Sequence, residues 1–299
     1  MIVEPGKVTE RITMLGAPES CFYHLDGGEE AVLIGGGMAY LAPRILPQIE
    51  AFAIDVKKIT QLIILHTHFD HCGLVPYLKK LWPWVKVAAS RQGKSCLSDP
   101  KLTQHIAGLN QAMIATEGLE KEAAQLGSAF TKIEVEETVK EGDRLPCGDL
   151  SVDILEVPGH SSCSIAAYVP AGKALFASDS LGVHYPQLIF AAGNSNFDLY
   201  EKNLHRLAGF DVEAVLLEHF GAALGAEARN LLPKSIKAAE DARAEIKRIF
   251  RRTRDVAKTA REVTRSILER TPGNFLVEDV LFGVMERMVR FIVKAQKET

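Results

Sequence analysis

Cysteine is scarce in this sequence. There are five in 299 residues, Cys21, Cys72, Cys96, Cys147 and Cys163, with no two at the short spacing of a paired metal or redox motif. An odd, scattered set argues against a disulfide framework and fits a reducing, cytoplasmic setting. Long hydrophobic runs are lacking as well. None approaches the ~20 residues that cross a bilayer, and Met1-Ile2-Val3-Glu4-Pro5-Gly6-Lys7 has no apolar core of the secretory kind. No membrane partner is expected. Charge of one sign is not in excess either: 35 Lys+Arg stand against 38 Asp+Glu, a net −3. Only the distribution is uneven, since the residues from Pro233 onward hold 16 basic and 10 acidic side chains. Solvated helix faces are the simpler account of that basic tail, so nucleic acid is not the expected partner. Internal repeats and low-complexity stretches are missing. So is a phosphate-binding loop, because no Gly-Lys-Ser/Thr accompanies Gly35-Gly36-Gly37.

What is present is ordinary globular composition, 47% hydrophobic and 24% charged, enough for a sizeable core in one large or two smaller domains. Short β-prone runs at 11–15, 21–25 and 31–34 are separated by turn formers, and a helix is expected from about Ala39 to Phe52. Leu62-Ile63-Ile64-Leu65 reads as a buried strand, 74–82 as a helix and 85–89 as a strand. Asp99 as N-cap and Pro100 as the first helical residue begin a helix expected to reach about Gln125. Its stripe Leu102, Ile106, Leu109 and Met113 suits core packing or a lid over a site equally well. Strands are expected at 132–135, 150–157, 164–169, 174–177 and 213–217, and a helix at 197–207 with Asp198 and Glu201 as its capping box.

This order suggests two packed sheets flanked by helices in an α/β (α+β) chain. Beyond Pro233 only helical patterning remains. One helix is expected at about 235–252, a second on the stripe Val256, Ala260, Val263 and Ile267, and a third on Val277, Val280, Leu281, Val284, Met288 and Phe291. Thr271-Pro272-Gly273-Asn274 forms a turn between the last two. The expected division is 1–232 and 233–299. The helical appendage could seat on the sheets, line a pocket or pair two copies as a homodimer; seating is the default.

Three of the nine histidines fall within six residues, in Leu65-His66-Thr67-His68-Phe69-Asp70-His71-Cys72-Gly73, on the loop leaving a strand. Imidazole nitrogen and carboxylate oxygen are good ligands for borderline divalent metals, and the C-terminal ends of strands are where α/β sheets hold ligands. His160, Asp179 and His219 recur in the same context, each just beyond a predicted strand. Singly each would be a turn or cap residue. Four strand ends delivering His or Asp to one edge describe a metal centre. Cys72 and Cys163 lie near these residues and read as packing side chains. His184 and Tyr185 sit where they could rim a pocket, while His24, His105 and His205 read as structural or exposed.

His66-x-His68-x-Asp70-His71, followed by His160, Asp179 and His219, resembles the metallo-β-lactamase-fold superfamily over about Ile12 to Gly221. The resemblance implies a four-layer αββα sandwich and two divalent metal ions, zinc first, with iron or manganese as alternatives. It implies that His66, His68 and His160 hold one ion, that Asp70, His71 and His219 hold the other, and that Asp179 bridges both. Two cations sharing a water lower its pKa, giving a bridging hydroxide that attacks a carbonyl or phosphoryl centre. Asp70 is then the carboxylate that orients it and passes on its proton. Flavodiiron-type relatives carry a carboxylate where His68 stands, so histidine there argues for hydrolysis.

A narrower likeness is to the quinolone-signal-response thioesterases (PqsE type). It rests on Asp70-His71-Cys72-Gly73-Leu74-Val75-Pro76-Tyr77-Leu78, on Gly35-Gly36-Gly37 ending a strand where other relatives carry an aspartate, and on Phe282-Gly283-Val284-Met285-Glu286-Arg287-Met288 as a last helix. It implies a C-terminal helical group that closes over the metals, and thioester or ester hydrolysis of an acyl-CoA-like small molecule. Two departures change the pocket. An acidic residue is missing around Gly182-Val183-His184, and Val284 replaces a small polar side chain, so Val284 and Met288 should meet a more apolar substrate. Phosphodiesterase or nuclease action, lactone hydrolysis, or a regulatory role through partner contacts are the alternatives on the same centre.

Overall fold

The computed structural model describes residues 1–271 and 278–294. A seven-stranded sheet runs in the order β1 (Gly6–Lys7), β2 (Ile12–Ala17), β3 (Ser20–Asp26), β4 (Ala31–Ile34), β5 (Ile59–Ile63), β6 (Lys86–Ser90) and β7 (Glu137–Val139). It is antiparallel up to β4 and parallel from β4 to β7. A second sheet is built from β8 (Arg144–Cys147), β9 (Leu150–Glu156), β10 (Ile165–Val169), β11 (Ala174–Phe176), β14 (Ala214–Leu216) and β15 (Ala222–Leu224). The hairpin of β12 (Val183–Tyr185) and β13 (Leu188–Phe190) stands apart.

Strand alternation creates the layers. In β4 and β5, Val32, Ile34 and Ile63 face the second sheet, meeting Val152, Ile154, Ala167 and Phe176, while Leu33 and Leu62 face the opposite way. On that outer side lie α1 (Ala42–Ala51), α2 (Phe69–Cys72), α3 (Val75–Leu81), α4 (Arg91–Ser98), α5 (Pro100–Thr116) and α6 (Glu120–Leu126). The outer face of the second sheet, with Leu155, Leu175 and Val215, is covered by α7 (Phe197–Leu207), α8 (Gly225–Thr253), α9 (Val256–Arg270) and α10 (Glu278–Lys294). The result is a four-layer αββα sandwich with a C-terminal helical extension. No helix among the described residues is long and apolar enough to cross a membrane.

Several elements depart from the sequence expectation. The helix expected from Pro100 to Gln125 is two, because Gly118 takes φ +67° and turns the chain between α5 and α6. Lys132–Val135 makes no ladder, and the pairing strand is β7. Asn196, not Asp198, caps α7 by accepting from the Leu199 N–H at 3.0 Å. α4, the β12–β13 hairpin and β15 are additional.

The helix expected from about Ser235 begins at Gly225, so the division at 232/233 falls inside α8, with Pro233 within it. Proline interrupts a helix at a cost of about 3 kcal/mol. Ala228, Leu231, Leu232 and Ala239 are all buried, and each large apolar side chain contributes about 1.5–3 kcal/mol. Packing outweighs the break. α9 buries Ala260, Val263 and Ile267 and α10 buries Leu281, Val284 and Met288, with Val256, Val280 and Phe291 half-buried; Val277 and the turn residues Pro272-Gly273-Asn274 lie outside the described residues.

Candidate metal centre

Within the second sheet, β9 and β11 each run antiparallel to β10, and β14 runs parallel to β11. The C-terminal ends of β9, β11 and β14 therefore share one edge. His160 follows β9, Asp179 follows β11 in a 3-10 turn, and His219 follows β14. The His66–His71 segment leaves β5 toward that same edge, tied to the second sheet by the Ile165 N–H donating to the Leu65 carbonyl at 2.9 Å.

Donor atoms converge in adjoining groups. His160 Nε2 lies 3.1 Å from His66 Nε2 and 2.8 Å from His68 Nδ1. His219 Nε2 lies 3.0 Å from His71 Nε2 and 3.4 Å from Asp70 Oδ2. Asp179 stands between the groups: its Oδ2 is 3.4 Å from both His71 Nε2 and His160 Nε2, and its Oδ1 is 3.6 Å from His219 Nε2. Three-residue sets suited to an ion are His66–His68–His160, Asp70–His71–His219 and His66–His71–Asp179. All are buried except His68, which is partly exposed.

The far nitrogens of the rings set the tautomers. His160 Nδ1 donates to the Ala192 carbonyl at 2.8 Å and His219 Nδ1 to the Glu19 carbonyl at 2.6 Å. His66 Nδ1 lies 3.2 Å from Ser178 Oγ, whose hydroxyl donates to Glu218 Oε2, so His66 is the donor in its own bond. In neutral His66 and His160 the two Nε2 lone pairs then meet at 3.1 Å. Two lone pairs at that distance repel unless a cation lies between them, so the donor set fits a metal ion.

Burial, first, and then the neighbouring imidazoles pull His66 well below its ordinary value. Burial likewise takes His160 down to about 3 and lowers His68. Burial works against ionised Asp70, yet His71 and His219 overcome it and hold that carboxyl at about 2. The same two rings, with His160, hold Asp179 well below the carboxylate range despite its burial. Burial also opposes protonation of His71, but Asp70, Asp179 and Glu218 together push it well above its ordinary value. Burial opposes protonation of His219 too, yet Asp179 and Asp70 raise it. His66, His68 and His160 thus stay neutral with lone pairs to offer, while His71 and His219 share charge with the two carboxylates, and a bound cation would take the place of the protons they hold.

A cavity of about 420 Å³ opens onto His68, Asp70, His160, Asp179 and His219. Phe69, Leu102, Ile106 and Leu109 form one wall; Val183, Phe190 and Val284 form another. Strand alternation turns Val183 to this cavity and sends His184 the other way, where its Nε2 lies 3.1 Å from both the Leu181 carbonyl and Ser235 Oγ on α8. His184 therefore does not line the cavity. Tyr185 packs its ring on Phe220, with centroids 4.9 Å apart, beside His219. Val284 faces the cavity, whereas Met288 lines a neighbouring one of about 390 Å³ between the hairpin and α8–α10.

Sequence reasoning missed Ser178 and Glu218, both buried around the rings. The available signal was an acid directly after the apolar run Val215-Leu216-Leu217, where only a paired or functional charge is tolerated.

A sandwich whose strand ends gather histidines and aspartates at one edge defines a class of metal-binding αββα proteins. The family model described as "Metallo-beta-lactamase superfamily" matches residues 18–219, and the chain belongs to that superfamily. A hydroxyacylglutathione hydrolase of Rhodopseudomonas palustris (strain BisB5) is 28% identical over 140 residues, 47% of this chain and 41% of the relative. One of Ruegeria pomeroyi is 49% identical over 43 residues, 14% of this chain and 17% of the relative. The matched stretch thus spans less than half the length of these curated relatives. Among solved structures, a metallo-beta-lactamase family protein of Thermus thermophilus superposes with a TM-score of 0.68 at 17% identity, covering 98% of this chain and 95% of that one. A subclass B3 metallo-beta-lactamase of Bradyrhizobium japonicum gives 0.59 at 18% identity, covering 82% and 94%. At these identities the structures speak for the fold alone.

Proposed function

We propose that this protein is a binuclear metal-dependent hydrolase of thioester or related ester bonds in an acyl-CoA-like small molecule. The observation that carries the reading is the pair of adjoining donor groups, joined by Asp179, at the floor of a largely apolar cavity. The partial likeness to hydroxyacylglutathione hydrolases supports an acyl substrate. His66, His68 and His160 hold one ion, Asp70, His71 and His219 the other, and Asp179 serves both, with zinc the first choice and iron or manganese the alternatives. Bound divalent ions supply Lewis acidity and lower the pKa of water.

The chain's own residues do the rest. Asp70, ionised at neutral pH, orients the attacking water and accepts its proton. Leu102, Ile106, Phe190 and Val284 exclude bulk water and bind the acyl body. Ser161 and Asn194, both on the cavity wall, offer hydrogen bonds that fix the substrate's orientation.

Assays of acyl-CoA and acylglutathione thioesters, lactones and phosphodiesters with zinc-, iron- and manganese-loaded protein test this, each beside Asp70→Asn. Thioester turnover should dominate and should fall by about 10²–10⁴-fold in the variant. Phosphodiester cleavage with no ester or thioester turnover would contradict the reading.

A further inference from the structure

We propose that Glu218 is a positioning residue that orients one histidine of each donor group, packed against a glycine, Gly35, that leaves it room. The proposal rests on the reading of the site as a metal centre and assigns a role to a residue outside its ligand set.

Glu218 is 2% exposed and follows β14 directly before His219. Among the described residues no lysine or arginine pairs with it; its ion-pair neighbour is His71, whose Nδ1 lies 3.1 Å from Oε2. The His71 N–H is not aligned well enough on that oxygen to count as a formed hydrogen bond, so the contact is one of charge and proximity. The same Oε2 accepts the Ser178 hydroxyl, and Ser178 Oγ lies 3.2 Å from His66 Nδ1.

The direction of the links follows from geometry. Ser178 gives its one hydroxyl proton to Glu218 Oε2, so toward His66 it can only accept, and His66 Nδ1–H donates to it. His71 Nδ1 lies against the same oxygen by charge and proximity. Both rings are thereby held with Nε2 turned toward the donor groups, His71 directly and His66 through one hydroxyl. A buried carboxylate with no lysine or arginine beside it among the described residues is costly to keep unless it serves its neighbours, and its neighbours here are two rings of the donor groups.

Gly35 supplies the room. A Cβ built there would overlap Glu218 Oε1 and stand 3.0 Å from Phe22 Cβ, and Gly35 has φ +90°. Its N–H is fixed to the Ile63 carbonyl at 2.9 Å, so the backbone is anchored where any side chain would meet the carboxylate.

The test uses the full chain loaded with cobalt(II), read by the visible spectrum, by metal equivalents per chain and by resistance to a chelator. Glu218→Gln keeps the shape but can present an N–H where only acceptance serves; it should weaken retention of both ions by about 10–100-fold and alter the spectrum. Ser178→Ala removes only the His66 link and should weaken one equivalent while sparing the other, so the proposal remains testable if Glu218→Gln folds poorly. Wild-type retention and spectrum in both variants would overturn the role of Glu218 while leaving the metal centre standing. Failure of the wild-type chain itself to take up cobalt would overturn both.

Discussion

At the scale of single residues, burial and neighbouring charge contend for the charge state, and His24, away from the proposed ligands, shows burial winning. It lies on β3, 6% exposed, and burial, offset only in part by Asp26, lowers it from 6.5 to about 4. Below pH 6.5 the unfolded chain takes up a proton that the folded chain refuses. Its contribution is therefore fully present above 6.5 and is lost as pH falls toward 4, by at most about 3 kcal/mol. His24→Gln should flatten the acid limb of the unfolding free energy, measured by denaturant titration between pH 7 and 4. An unchanged acid limb would count against the shift.

The seven His and Asp positions of the donor groups were legible at this scale because histidine is rare and their strand-end context repeats. Ser178 and Glu218 were not, since serine and glutamate are common and their significance lies in facing rings over 100 residues away in the chain. His184 illustrates the converse. One step along a strand reverses the face, and the sequence does not show which of Val183 and His184 points inward.

Among elements, α5 joins the helical layer to the histidine loop. Asn110 is fully buried on it; its Nδ2 donates to the Phe69 carbonyl at 3.0 Å, and its Oδ1 accepts the Ala39 N–H at 2.8 Å. Asn110→Ala would leave both backbone groups without these partners, and should destabilise the fold by about 2 kcal/mol in chemical denaturation. It should also loosen the turn that carries Asp70 and His71, seen as faster amide exchange across residues 69–73. Protection equal to wild type would refute the clip. The stripe of this helix was visible in the sequence as suiting either core packing or a lid or side element over a site. Ile106 is buried in the core cluster and, with Leu102 and Leu109, also lines the cavity. Where element boundaries were misread, at Gly118 and at the start of α8, the deciding factor was tertiary. A single glycine takes a left-handed turn, and a buried face carries a helix through Pro233.

For the whole molecule, the two sheets, their helical coats and the seating of the C-terminal helices on them followed from alternation and periodicity, but which sheet face those helices take did not. They cover the outer face of the second sheet, and α10 brings Val280, Val284 and Arg287 to the cavity. The basic surplus beyond Pro233 is partly spent in ion pairs such as Arg243 with Asp198 and Glu201, and Arg252 with Glu262. That favours solvated helix faces over a polyanion-binding surface. If one edge of the sandwich takes two ions, as proposed, anomalous scattering from crystals grown with zinc should show two peaks about 3.5–4 Å apart. One should lie among His66, His68 and His160, the other among Asp70, His71 and His219, with Asp179 between them. A single peak, or none at this edge, would contradict the proposal.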